Sequence, residues 1–252
     1  MGILGRALTK IPGVRRRPPD HIYWGRTNPR TVSRAVVFDL DDTLAVTDRD
    51  RKTLLSAAAD RASVTLSFDR AAYRKAHREH SGTRTREPVF EALVGEDAPE
   101  MTRAYREAVG EALRPVAGAE SLLWTLRRRY RIGLLTDGPG ETQRDKLRRL
   151  GWLDAFDATV VTGPIGAPKP DRRAFEAIAD ALGVSPERAV YVGNDPERDI
   201  AGAAAAGFRP VQVCYDGGPD AHPEAVARVD RDDLASLVGL IEELFDDGPE
   251  DT

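Results

Sequence analysis

Along the chain, short apolar runs recur with segments of helical period between the later ones, and this alternation admits few folds. Five runs have the length and residue type of strands: 35–38, 132–135, 159–161, 189–192 and 210–214. Among the intervening segments, "GAESLLWTLRRRY" sets Leu122, Leu123, Leu126 and Tyr130 on one stripe, and "ETQRDKLRRLG" stops at Gly151. "DRRAFEAIADALG" starts from Asp171 as N-cap and closes at Gly183, and "DIAGAAAAG" is a small-residue helix suited to close packing on a sheet. The pattern predicts an α/β protein, a parallel sheet with helices on both faces. Ligands of such sheets lie at the carboxyl ends of the strands. The polar clusters fall there: Asp39 and Asp41 after the first run, Thr136 and Asp137 after the second, Asn194 and Asp195 after the fourth.

One interval breaks the alternation. Between Thr47 and Pro115 the sequence offers amphipathic stretches such as "TLLSAAADRAS", "DRAAYRKAHREH" and "EMTRAYREAVGEAL", and no strand. It is too long for a loop, so the expectation is a helical subdomain, 48–115, inserted over the catalytic edge of a core formed by 34–47 and 116–252. A basic arm, 1–33, precedes them: up to Arg34 the chain carries Arg6, Lys10, Arg15, Arg16, Arg17, Arg26 and Arg30 against a single acid, Asp20. The arm reads as a solvated terminus lying near the acidic "EELFDDGPEDT" end, or as a contact for an anionic partner.

A net charge of −4 argues against nucleic acid as the main partner. One cysteine, Cys214, allows no intrachain disulfide. Neither a membrane-spanning run nor a secretory signal is present, so cytoplasm is the expected location.

Residues 34–46, "RAVVFDLDDTLAV", set Asp39, Asp41 and Asp42 at the mouth of a buried strand. Two carboxylates about 6 Å apart repel by roughly 3 kcal/mol at an effective dielectric near 20. Asp39, held rigidly at a strand end, suits a nucleophile, Asp41 projects toward the same centre, and Thr43 offers a hydroxyl to an anionic oxygen. The same D-x-D-x-T stretch is compatible with an Asx-capped turn. Thr136, Asp137 and Gly138 of "LLTDG" supply a hydroxyl and main-chain N–H groups for phosphate oxygens, although a threonine there also serves a turn or N-cap. Lys169, framed by Pro168 and Pro170 in "GAPKPD", has a restricted backbone. "YVGNDPERD" returns Asn194, Asp195 and Asp199, and an oxygen-rich set of this kind suits Mg²⁺. A divalent cation is expected to offset the repulsion among Asp39, Asp195 and Asp199, with Lys169 adding a further positive charge. His77 and His80, with Arg74, Lys75, Arg78, Arg84 and Arg86, make one stretch of the inserted segment basic. That stretch reads as a solvated helix face or as a selector of anionic substrates.

The D-L-D-D-T, T-D-G, K-P and G-N-D-P-E-R-D stretches, in this order, resemble the four motifs of the haloacid dehalogenase (HAD) superfamily of hydrolases, in its phosphatase branch with a helical, C1-type cap. The resemblance runs from about residue 34 to 215 and implies a Rossmann-like parallel sheet with the cap inserted after the first motif. It further implies that Asp39 attacks a phosphoryl group to form an aspartyl-phosphate. Asp41 would protonate the leaving oxygen and then deprotonate the water that resolves the intermediate, which calls for a raised pKa. Thr136 and Lys169 would hold the phosphoryl oxygens. Mg²⁺ would lie on Asp39, the Asp41 carbonyl and the fourth-motif residues, either Asn194 or Asp195 together with Asp199. Two positions depart from the family pattern: Asp137 stands where asparagine is usual, and Asn194 where an acid is usual. The expected activity is Mg²⁺-dependent hydrolysis of a small phosphorylated metabolite by a monomer or homodimer. A phosphomutase or other phosphotransferase of the same fold, or a non-catalytic phosphate-binding scaffold, is the alternative.

Overall fold

The computed structural model describes residues 22–24, 33–80 and 84–246. Nearly all of the basic arm and the last six residues of the acidic end lie outside the described residues. In chain order the strands are β1 (Ile22–Trp24), β2 (Ala35–Phe38), β3 (Ala45–Thr47), β4 (Leu113–Pro115), β5 (Arg131–Thr136), β6 (Ala158–Val161), β7 (Ala189–Gly193), β8 (Arg209–Cys214) and β9 (Ala227–Asp230). The helices are α1 (Arg51–Ala62), α2 (Arg70–His80), α3 (Glu87–Val94), α4 (Ala98–Ala112), α5 (Ala119–Leu126), α6 (Gly140–Arg149), α7 (Thr162–Ile165), α8 (Arg172–Leu182), α9 (Gly202–Ala205) and α10 (Leu237–Asp246).

Seven strands form one sheet in the order β1-β6-β5-β2-β7-β8-β9. Every pairing is parallel except that of β1 with β6. The five runs read from the sequence are its centre, each within a residue of its expected ends. The two strands added at the edges were not expected. β1 has only three residues, and in β9 only Val229 is buried, so neither carries the continuous apolar run of a central strand.

Alternation along β2 shows why the sheet needs cover on both sides. Val36 and Phe38 pack on one face with Leu122, Ile132, Leu134 and Ile241. Ala35 and Val37 face the other side with Phe175, Ile178, Tyr191 and Phe208. On that second side α8 has the ends its sequence predicts: Asp171 accepts a hydrogen bond from the Arg173 N–H, and Gly183 closes the helix at φ 66°. The expected small-residue helix is in fact two pieces, a π-helical turn at Pro196–Ala201 followed by the short α9.

β2 pairs with β5 on one side and β7 on the other. After β2 the core strands run outward through β5 to β6, then cross back to β7 and continue to β8 and β9. The order therefore reverses beside β2, and a crevice opens at the carboxyl ends where it reverses. Over this edge lie α1 to α4, whose own apolar cluster includes Leu54, Tyr73, Phe90, Met101 and Tyr105. The segment between the first two motifs is not strand-free, because β3 and β4 pair antiparallel at its base with Ala45 opposite Pro115.

Candidate active site

Asp39 follows β2 directly, and its N–H donates to the Val192 carbonyl at 2.9 Å, continuing the β2–β7 ladder by one residue. The chain then turns tightly: the N–H groups of Leu44 and Ala45 both reach the Leu40 carbonyl at 3.0 Å, and Asp42 takes a left-handed φ of 63°. Aspartate tolerates that conformation better than most residues. The turn sends the Asp41 side chain into the crevice beside Asp39, and both line a cavity of about 960 Å³ between the sheet edge and the helical segment.

Lys169 is the hub of the floor. Its Nζ, 5 % exposed as a residue, donates to Asp39 Oδ1 at 2.7 Å, Asp199 Oδ1 at 2.6 Å and the Tyr191 hydroxyl at 3.0 Å. Tyr191 in turn donates to Asp199 Oδ1 at 3.1 Å. The other oxygen of Asp199 accepts the N–H groups of Asn194 and Asp195 at 3.0 and 2.9 Å. Asp199 also depends on Gly193, since a Cβ there would lie 2.5 Å from its Cγ. Burial pushes the Asp39 carboxyl up to about 8; Lys169 works against this, while Asp199 and Asp41 add to it.

Asp41 is held by residues that the sequence did not single out. Lys146 Nζ lies 2.6 Å from both carboxylate oxygens, and Gln143 Nε2 donates to Oδ2 at 3.1 Å. Burial works to raise the Asp41 carboxyl, yet Lys146, Gln143 and Arg86 together bring it below the ordinary value. The expected raised pKa of Asp41 is thus corrected: an ammonium on both oxygens stabilises the anion. Lys146 and Gln143 come one turn apart on α6, and "QRDK" carried the i, i+3 spacing that sets both on one face.

The remaining residues divide into those near the crevice and those spent on support. Thr136 Oγ1 accepts from Gln143 Nε2 at 2.5 Å, and its residue lines the cavity with Asp137 and Gly138. Gly138 has φ 125°, a backbone conformation open chiefly to glycine. Asp137 accepts from the Thr162 hydroxyl at 2.8 Å and the Lys169 N–H at 3.1 Å, tying the lysine loop to the end of β5. Thr43 is fully buried and donates its hydroxyl to Asn194 Oδ1 at 3.2 Å. Asp195 is the N-cap of the π-helical turn: Oδ1 accepts the N–H groups of Glu197 and Arg198, and Oδ2 pairs with the Arg198 guanidinium at 2.8 Å.

The carboxylates therefore do not gather as a cage. Among the described residues no group of three or more His, Cys, Asp or Glu side chains is arranged to hold a metal ion. Lys169 stands between Asp39 and Asp199, and Arg198 takes Asp195, so within the protein it is the lysines and an arginine that offset the repulsion expected to need a cation. The donor set still fits Mg²⁺. Asp39, Asp41 and Asp199 form ion pairs with Lys146 and Lys169 alone, two ammonium groups for three carboxyls. Asp39 Oδ2 accepts no hydrogen bond among the described residues, and the Asn194 amide oxygen and the Asp41 carbonyl are further hard oxygens. Mg²⁺ favours few carboxylates, with water and phosphate completing its shell.

Residues 33–207 match the haloacid dehalogenase-like hydrolase family. A phosphoserine phosphatase of Thermus thermophilus is 36% identical over 147 residues, 50% of this chain and 59% of that protein, so the chain matches less than two thirds of it. A glyceraldehyde 3-phosphate phosphatase of Methanopyrus kandleri is 30% identical over 231 residues, 85% of this chain and 99% of that protein. In fold, the chain is similar to the crystal structure of a HAD phosphatase from Thermococcus onnurineus, with a TM-score of 0.62 at 22% identity over 82% of this chain and 98% of that one. With its sheet order, its aspartates at the end of β2 and the family match across two thirds of its length, the chain belongs to the haloacid dehalogenase-like hydrolases.

Proposed function

We propose that the protein is a Mg²⁺-dependent phosphatase that hydrolyses a small phosphate monoester through an aspartyl-phosphate on Asp39. The observation that carries this reading is the Lys169 bridge. It fixes one oxygen of Asp39 at 2.7 Å and leaves the other without a donor among the described residues, at the edge of a 960 Å³ cavity. The names of the relatives, both phosphatases, support the same chemistry.

In the first step Asp39 Oδ2 attacks phosphorus; the Asp39 O–P bond forms and the bond to the leaving oxygen breaks. Thr136, the main-chain N–H groups of Asp137 and Gly138, and Lys169 surround the phosphoryl oxygens. In the second step water attacks phosphorus, Asp41 takes its proton, and the Asp39 O–P bond breaks to release phosphate. An ionised Asp41 suits this second step. For the first, the negative charge of a bound phosphoryl group beside Asp41 raises its pKa and favours the protonated form that the leaving oxygen needs. Asp39, the Asp41 carbonyl and Asn194 would hold Mg²⁺, with Asp199 fixing the Asn194–Asp195 backbone and Asp195 anchoring the turn behind them. When bound, the ion would favour the ionised form of Asp39 against the effect of burial and supply the charge neutralisation that lets this carboxylate approach an anionic phosphoryl group. The helical segment α1–α4 would serve as the cap over the site, joined to the core through β3 and β4.

A screen of phosphate monoesters with Mg²⁺ tests the proposal. The wild type should release phosphate, and both Asp39→Asn and the EDTA-treated wild type should not. Turnover by Asp39→Asn at a rate comparable with the wild type would remove Asp39 as the nucleophile. Isomerised product in place of free phosphate would instead identify a mutase.

A further inference from the structure

The roof of the cavity carries positive charge beyond the two lysines of the floor. Six arginines line the cavity; Arg49, Arg106 and Arg198 are matched by acids, whereas Arg78, exposed on α2, has no carboxylate within ion-pair distance among the described residues. Arg49 lies 3.5 Å from Asp48 and 4.0 Å from Glu111, Arg106 lies 3.8 Å from Glu141, and Arg198 pairs with Asp195 at 2.8 Å. Arg51 and Arg86 are different. Neither has a carboxylate within ion-pair distance among the described residues, and both rest instead on phenol rings. Arg86 Nη1 donates to the Tyr73 hydroxyl at 3.1 Å, and its guanidinium lies 5.9 Å from the Tyr105 ring centroid. The Arg51 guanidinium lies 5.9 Å from the Tyr73 ring centroid.

The mounting is rigid. Tyr73 and Tyr105 are buried, their rings are 6.0 Å apart, and Phe90 packs edge-on to Tyr105 at 5.4 Å. An arginine held against such a platform loses little freedom when an anion arrives, and Arg86 keeps the donors other than the one given to Tyr73. The field of the two guanidiniums registers on their neighbours. Burial, Arg86, Arg51 and Arg198 push the His77 imidazole down to about 4. Burial alone would raise the Tyr73 phenol, but Arg86 and Arg51 bring it below its ordinary value.

We propose that Arg51 and Arg86 bind a second anionic group on the substrate, so that the preferred substrates are small phosphate monoesters that also carry a carboxylate. This inference rests on the phosphatase reading of the floor. The floor receives the phosphoryl group, the roof receives the carboxylate, and a neutral monoester leaves the two roof arginines without a partner. An arginine–carboxylate pair in a partly enclosed cavity forms charge-assisted, often bidentate hydrogen bonds, which makes discrimination a property of these two side chains.

The test uses the full chain with Mg²⁺ and two matched pairs of substrates, phosphoglycolate against ethyl phosphate and phosphoglycerate against glycerol phosphate, with an aryl phosphate as reference. In the wild type, kcat/KM should favour the acid of at least one pair by about tenfold or more. Arg86→Gln and Arg51→Gln should each bring that ratio down by about tenfold, toward parity, with Arg86→Lys intermediate. Arg51 begins α1 at the surface, so its variant reads the same effect if loss of the Arg86–Tyr73 contact unfolds the helical segment. Equal rates within both pairs in the wild type would overturn the proposal. So would a parallel fall on acid and neutral substrates in the variants, which would assign the arginines to the phosphoryl group. If the wild type releases phosphate from none of the substrates, the aryl phosphate included, it is the phosphatase reading that fails.

Discussion

Lys169 Nζ donates to Asp39 Oδ1 at 2.7 Å across 130 residues of chain, and the same nitrogen lies 2.6 Å from Asp199 Oδ1. An ammonium enclosed between two carboxylates is sensitive to the loss of any member. Lys169→Met leaves Asp39 and Asp199 buried without a counter-charge, and breaking a buried pair in this way costs about 3–5 kcal/mol. The urea midpoint should fall accordingly with an unchanged denaturant slope, and phosphatase turnover should vanish. A midpoint within experimental error of the wild type would show that the bridge contributes nothing to stability.

Tyr191→Phe removes the hydroxyl that accepts from Lys169 and donates to Asp199 while keeping the ring, which packs against Phe175 at 5.2 Å. The expected loss is about 1–2 kcal/mol in stability, with a fall in kcat and little change in KM. A fall in KM-dependent binding alone would contradict a role in holding the lysine.

Lys146→Met addresses the proton. Lys146 stabilises the anionic form of Asp41, which holds that carboxyl below its ordinary value against the effect of burial. Removing the ammonium leaves burial less opposed, so the pKa rises and the acidic limb of kcat, which includes hydrolysis of the aspartyl-phosphate, moves to higher pH. The measurement is a pH–rate profile with an aryl phosphate, whose good leaving group needs little proton donation. An unmoved limb would detach Lys146 from the protonation of Asp41.

His77 gives a pH dependence of stability. Its imidazole titrates at about 4 in the fold against 6.5 in a solvated chain, chiefly through burial and then Arg86, Arg51 and Arg198. Between those values the unfolded chain binds the proton and the folded one does not. Stability therefore declines as pH falls from about 6.5 toward 4. His77→Asn should flatten this part of the stability–pH curve, as denaturant unfolding at several pH values would show. Identical curves for variant and wild type would contradict the assignment.

How much of this was legible follows from what each residue needs. Asp39, Thr136 and Asn194 stand directly after apolar runs, and a strand's end is visible in sequence because burial stops there. Lys146 was not legible as part of the site. In "QRDKLRRLG" it looks like one more cation on a solvated face, and only packing of α6 against the sheet edge buries it to 6 % exposure. The fourth motif offers Asn194 or Asp195 to a metal, but Asp-Pro followed by Glu also spells an N-cap with proline at the first helical position, and in the structure Asp195 is that N-cap. β1 escaped because it has only three residues, and β9 because Val229 is its one buried residue and it carries little periodic signal. The basic stretch of the inserted segment contributes Arg86 to the cavity, whereas Arg74 and Lys75 stay exposed on α2.

The most direct test of a covalent route through Asp39 is to quench the enzyme in acid during turnover and map the peptide that carries residues 34–46 by mass spectrometry. The wild type should carry a phosphoryl group on Asp39 that forms and decays with turnover, and Asp39→Asn should carry none. Phosphate release at the full rate with Asp39 unmodified throughout would contradict the account.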